Sequence, residues 1–169
     1  MRLVDKSDIL DVRQISASVK EAKLNQFIDD AQIADLCPLL GNKLYNDIIT
    51  TTGIGNTTYH DLLVGGNYDY DGITYDNPGL KTVLSLFVYA RYEMFGGYTD
   101  TPFGFVEKQY QDGANIDRIN RKEVYKANQQ TAMMYWQQVK LFLDRNTDIY
   151  PLWKACETKK RNFRVEIIR

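Results

Sequence analysis

GLKTVLSLFVYARYEMFG, residues 79–96, decides the fold. Wound as a helix, it places Leu80, Val83, Leu84, Leu86, Phe87, Val88, Tyr89, Ala90, Met94 and Phe95 almost all the way round its axis. A helix that is apolar on nearly every side is a central one. Asn77-Pro78 opens it, with Pro78 near the first turn, where its missing N–H is no loss. Gly96-Gly97 ends it.

Upstream, Glu21 to Leu36 has a helical period, with Leu24, Phe27, Ile28, Ala31 and Ala34 as its buried stripe. Pro38 and Gly41 break it. Asn42 to Thr50 forms a short helix with Leu44, Tyr45, Ile48 and Ile49 inward, and Thr57 to Val64 forms another. In residues 5–20, Asp5 or Ser7 caps a short helical turn. Between these helices and the central one lies GGNYDYDGITYDNPG (65–79). Its tyrosines alternate with Asp, and Asp71-Gly72 is a tight-turn dipeptide. That predicts a small hairpin of Tyr68–Tyr70 against Ile73–Tyr75.

Downstream, residues 98–115 mix Gly, Pro and aromatics without helical period. An extended arm is expected there, with Phe103, Phe105 and Tyr110 available for docking. Residues 117–144 give the longest helical signal and carry two apolar stripes. One is Val124, Ala127, Thr131, Met134, Tyr135 and Phe142; the opposite one is Tyr125, Ala132, Trp136, Val139 and Leu143. Such a helix either sits inside a bundle or offers one face to a partner. A last short helix breaks near Pro151, and the tail (157–169) alternates Phe163, Val165 and Ile167 with polar residues, the period of a strand. The expected fold is mainly α: a single helical-bundle domain over 1–169, with a long C-terminal helix, a small β-hairpin, an extended arm and a C-terminal strand.

The 169 residues are 44% hydrophobic and 25% charged, enough apolar material for a core, and the net charge is −1. That balance gives no overall field for nucleic acid or an anionic membrane. It hides an asymmetry: residues 1–80 hold six Lys/Arg against twelve Asp/Glu, and residues 81–169 hold fifteen against ten. The halves attract each other within one fold, or copies pack acid to base around a ring. A basic patch of Lys159, Lys160, Arg161 and Arg164 around Phe163 makes a small nucleic-acid-binding module the alternative reading. The opening MRLVDKSDIL lacks a signal-peptide pattern, no stretch has the length of a membrane span, and Cys37 and Cys156 read as reduced thiols.

Catalytic patterns are scarce. His60 is the lone histidine, and with Cys37 and Cys156 it has no zinc-ligand spacing. There is no phosphate-binding or dinucleotide glycine motif. Asn67-x-Asp69-x-Asp71-Gly72 opens like a calcium loop, but Pro78 stands where the twelfth-position glutamate belongs. No cofactor, metal or enzymatic activity is expected.

FIDDAQIADLCPLLGNKLYNDII (27–49), through Ala31-Gln32, Asp35, Leu40-Gly41 and Leu44-Tyr45, resembles the N-terminal signature of small head–tail connector proteins of tailed bacteriophages. The likeness is greatest to those of crAss-like and other phages of Bacteroides-type hosts. A buried helix, Thr101-Pro102-Phe103-Gly104 and then a long helix continue the same order. The resemblance implies a non-enzymatic virion protein, made in the host cytoplasm. It would sit in a homo-oligomeric, typically twelvefold ring between the portal protein and downstream tail proteins, with genomic DNA passing through the lumen without sequence-specific binding. The interface expected for such a ring sets Phe103, Phe105 and Tyr110 against a neighbour's Tyr125, Trp136 and Val139, and adds the strand of Phe163, Val165 and Ile167 to a partner's sheet edge.

Overall fold

A computed structural model describes residues 1–16, 19–55, 57–101, 104–107 and 118–154. It is a helical bundle with two small hairpins. The helices are α1 (Lys6–Val12), α2 (Glu21–Ala31), α3 (Cys37–Leu40), α4 (Asn42–Gly53), α5 (His60–Val64), α6 (Gly79–Phe95), α7 (Arg118–Arg145) and α8 (Pro151–Lys154). A π-helical turn, Gln32–Leu36, joins α2 to α3. The hairpins are β1 (Gly66–Tyr70) with β2 (Ile73–Asn77), and β3 (Tyr98–Thr101) with β4 (Gly104–Glu107), both antiparallel.

Helix α6 is the axis of the bundle, and α1, α2, α5 and α7 all pack on it. Val83 to Val88 are six consecutive buried residues. At 3.6 residues per turn they cover every direction round the helix, so no side faces water over that stretch; Phe95, in the last turn, is exposed.

The segment after α2 departs from the expected register. Ala34 is exposed, and the buried positions run Ala31, Gln32, Leu36 and Leu40. The π-turn is the reason. Pro38 has no N–H to offer the Ala34 carbonyl, and one step earlier the Cys37 N–H reaches back five residues to the Gln32 carbonyl. The wider turn rotates the inward face by one residue. Gly41, at φ +76°, then turns the chain into α4.

The buried Gln32 side chain ties down the N-terminal segment. Its Oε1 accepts from the Leu3 N–H at 2.6 Å, and its Nε2 donates to the Met1 carbonyl at 3.2 Å and the Tyr45 hydroxyl at 3.4 Å. Arg2 forks onto Asp29 and Lys81 pairs with Asp8, so the segment before α1 is fastened to α2, and α1 to α6. Asp5 caps α1 and Asp8 completes a capping box with it. Hydrogen bonds from Ser7 and the Asp8 N–H hold the Asp5 carboxyl below its usual range.

The β1–β2 hairpin has the expected register, Tyr68 opposite Tyr75 and Tyr70 opposite Ile73. Asp71 (φ +51°) and Gly72 (φ +73°) supply the two left-handed residues of the turn. Within the expected extended arm, residues 98–107 form a second hairpin, β3 and β4 pairing from Tyr98–Glu107 to Thr101–Gly104. Thr99, Thr101, Phe105 and Val106 favour strands, which accounts for the pairing. The rest of the predicted arm and the predicted C-terminal strand lie outside the described residues.

Candidate functional site

Helix α7 settles which of its two stripes faces inward. Ala132, Trp136, Val139 and Leu143 are buried in the chain's own core, with Phe142 beside them. Trp136 meets Trp153 of α8 edge-on at 5.9 Å, and the Trp153 indole donates to Asp144. Trp136 and Val139 therefore present no surface to another chain, which corrects the expected interface. The volume of an indole beside Val139 and Leu143 fills the space against α6, and the thinner, interrupted stripe is left outside. Tyr125 is half-buried, and its hydroxyl accepts from Gln129 at 2.6 Å.

The outward side of α7 carries Ile119, Met133, Met134 (70% exposed) and Leu141, interleaved with Lys126, Gln130 and Gln137. Where α7 passes the π-turn and α3, an open groove of about 660 Å³ forms. Its apolar lining is Ala34, Pro38, Leu39, Phe87, Met133 and Met134; its rim is Asp35, Lys126, Gln129 and Gln130. Arg91 of α6 pairs with Asp35 at 2.8 Å, both largely buried, and fixes the wall that carries Pro38. The carboxylate in turn raises the Arg91 pKa. The lining is mostly apolar, and its one carboxylate, Asp35, is paired with Arg91.

The remaining sequence candidates occupy ordinary structural places. His60 is exposed at the start of α5. Asp69 accepts a hydrogen bond from Thr74 across the β1–β2 hairpin. Cys37 faces the Asn42 side chain, and burial pushes its thiol up, the opposite of what a thiolate nucleophile needs. Among the described residues no three His, Cys, Asp or Glu side chains are placed to hold a metal ion, and no helix is long and apolar enough to cross a membrane. Phe105 is placed by its backbone opposite Asp100 in the second hairpin. Phe103, Tyr110, Lys159, Lys160, Arg161, Phe163, Arg164, Val165 and Ile167 lie outside the described residues.

One arrangement had no sequence signal beyond the alternating tyrosines. The Arg145 guanidinium, at the end of α7, lies 3.8 Å from the ring centre of Tyr75 and 4.7 Å from that of Tyr70, and donates to the Tyr68 hydroxyl at 2.9 Å. Tyr68 also stands edge-on to Phe142 at 4.9 Å. A two-stranded hairpin is marginal alone, so this clasp is what holds β1–β2 against the bundle. Arg145→Ala is expected to speed amide exchange across Gly66–Asn77 while the α6 amides keep their protection. Arg145→Lys falls short of rescue, since an ammonium lacks the planar face that stacks on the rings. Hydrogen exchange read by mass spectrometry checks both.

The fold is a small helical bundle with an open, largely apolar groove on its surface. A family model described as a family of unknown function, DUF6712, matches residues 36–163, and the chain belongs to that family. The match takes in α3, α6 and α7, the elements that form most of the groove. No curated protein and no solved structure matches the chain.

Proposed function

We propose that the protein is a structural, non-enzymatic virion subunit. It forms a ring in the phage neck between portal and tail, extends the DNA channel and gives the tail its platform. The observation that carries this reading is the outward apolar side of α7 and the groove beside it, which the core of the described residues leaves uncovered. A ring contact joins one patch to a different patch on the next copy, and it needs apolar surface of this kind on a monomer that is already folded.

The residues that carry the connector resemblance also support it as a building unit. Gln32, Asp35, Gly41 and Tyr45 together build the corner that sets one wall of the groove.

Labelled antibody against the protein, viewed on intact particles by electron microscopy, tests the proposal. Label confined to the head–tail junction is the expected result. Particles without label, or with label elsewhere, overturn it. DNA titration at two salt concentrations then decides for the nucleic-acid module, whose binding must weaken steeply with salt.

A further inference from the structure

From the groove and the fifteen residues that follow Lys154, we infer that the groove between α3 and α7 receives the C-terminal segment of a second copy of this chain, with Phe163, Val165 and Ile167 as its teeth. The inference deepens the ring reading and rests on it for the presence of a neighbouring copy.

Three observations carry it. The groove is open and apolar along one floor, built by Phe87 between the Pro38–Leu39 wall and the Met133–Met134 wall. An extended segment with apolar side chains at every second position presents one apolar edge to such a floor. Residues 163–167 have that alternation, and their other edge carries Arg164 and Glu166. Those are opposite signs, for a rim that holds both Lys126 and Asp35.

Reach also allows it. Fifteen residues extended at about 3.3 Å each span about 50 Å. A domain of this size has a radius of gyration of about 15 Å. The segment is therefore long enough to leave its own subunit. A groove on one copy and a segment from the next are different patches, so the contact repeats head to tail until the ring closes.

The chain has four methionines, Met1, Met94, Met133 and Met134, and two of them line the groove. Methyl-labelled methionine in the full chain therefore reads occupancy by NMR. The Met133 and Met134 methyls are expected to shift as protein concentration rises, with Met1 and Met94 unmoved. In the full chain carrying Phe163→Asp, Val165→Asp and Ile167→Asp that dependence is lost. A synthetic peptide of residues 155–169 then restores the shift, and Met134→Glu weakens the peptide by about tenfold or more, the effect of setting a charge in an apolar contact.

Two results overturn the inference. One is a pair of methyls at the bound position at every concentration in a chain that sediments as a monomer, which means the chain's own segment fills the groove. The other is a pair of methyls unmoved by millimolar peptide. If the concentration dependence holds but antibody finds no label at the neck, the connector reading falls and the groove assignment stands as self-association.

Discussion

Trp136→Glu is expected to unfold the protein. The indole is 3% exposed and packs edge-on against Trp153. Deleting such a side chain down to alanine costs about 3–5 kcal/mol. Glutamate adds a carboxyl to that apolar site, a further penalty of the kind that dominates severe substitutions. A domain holds about 5–15 kcal/mol in total, so the two costs together consume most or all of it. With Trp136 gone, Trp153 is the remaining tryptophan. Its emission should lie at the wavelength of an unfolded chain in buffer alone, and far-UV dichroism should show the helices lost. Met134→Glu, on the outward side of the same helix, is the matched control: its unfolding free energy in urea should stay within about 0.5 kcal/mol of wild type. Equal tolerance of the two would mean that α7 is rotated relative to the bundle.

The second large effect is expected at Gly79→Ala. Gly79 has φ +77°, and a Cβ there would lie 2.5 Å from the Val64 carbonyl carbon and 2.7 Å from the Gly65 nitrogen. Gly65, at φ +85°, faces back across the same crossing, where an added Cβ would lie 2.7 Å from the Pro78 carbonyl carbon. The two backbones pass with no room for a side chain on either. Asn77 locks the crossing, donating to the Asp61 carbonyl at 3.0 Å and accepting from the Gly79 N–H at 3.2 Å. Left-handed strain of about 1–3 kcal/mol and overpacking of about 1–3 kcal/mol combine, so the loss should be about 3 kcal/mol or more. Gly72→Ala separates the two contributions. It has a similar φ, +73°, with nothing near its would-be Cβ, and should lose only about 1 kcal/mol. Urea unfolding with an unchanged slope reads both differences. Equal losses would mean that strain alone, and not the crossing, governs Gly79.

The parts of the fold that follow from local rules were legible. The all-round apolar helix at 79–96 leaves no arrangement but a central one, and Asp71-Gly72 between alternating tyrosines allows little but a hairpin. Pro38 announced a break, yet not its form. A π-turn and a terminated helix look alike in sequence, because the choice depends on whether the Cys37 N–H reaches Gln32, and the price of a missed choice is Ala34 on the wrong side. Helix α7 was harder still. Both stripes fit the helical period, and which one turned inward was set by packing against α6. Its signal lay in side-chain bulk: the inward stripe carries Trp136, Val139 and Leu143, whereas the other is interrupted by Thr131 and divides, Phe142 turning inward while Met134 and Tyr135 stay exposed. The groove could not be read at all, since it joins positions about ninety residues apart, from Pro38 to Met133. The Arg145 clasp is likewise long-range, its partner Tyr68 lying 77 residues away.

The fastening of α1 has a consequence for how the protein is made. Asp8 must wait for Lys81, 73 residues later in the chain. At roughly 5–20 residues per second, translation reaches Lys81 about 4–15 seconds after Asp8. For that interval Leu3, Val4 and Ile9, all buried in the finished protein, have no α6 to pack on, and the ribosome holds a nascent chain whose earlier-made apolar residues are open to a chaperone.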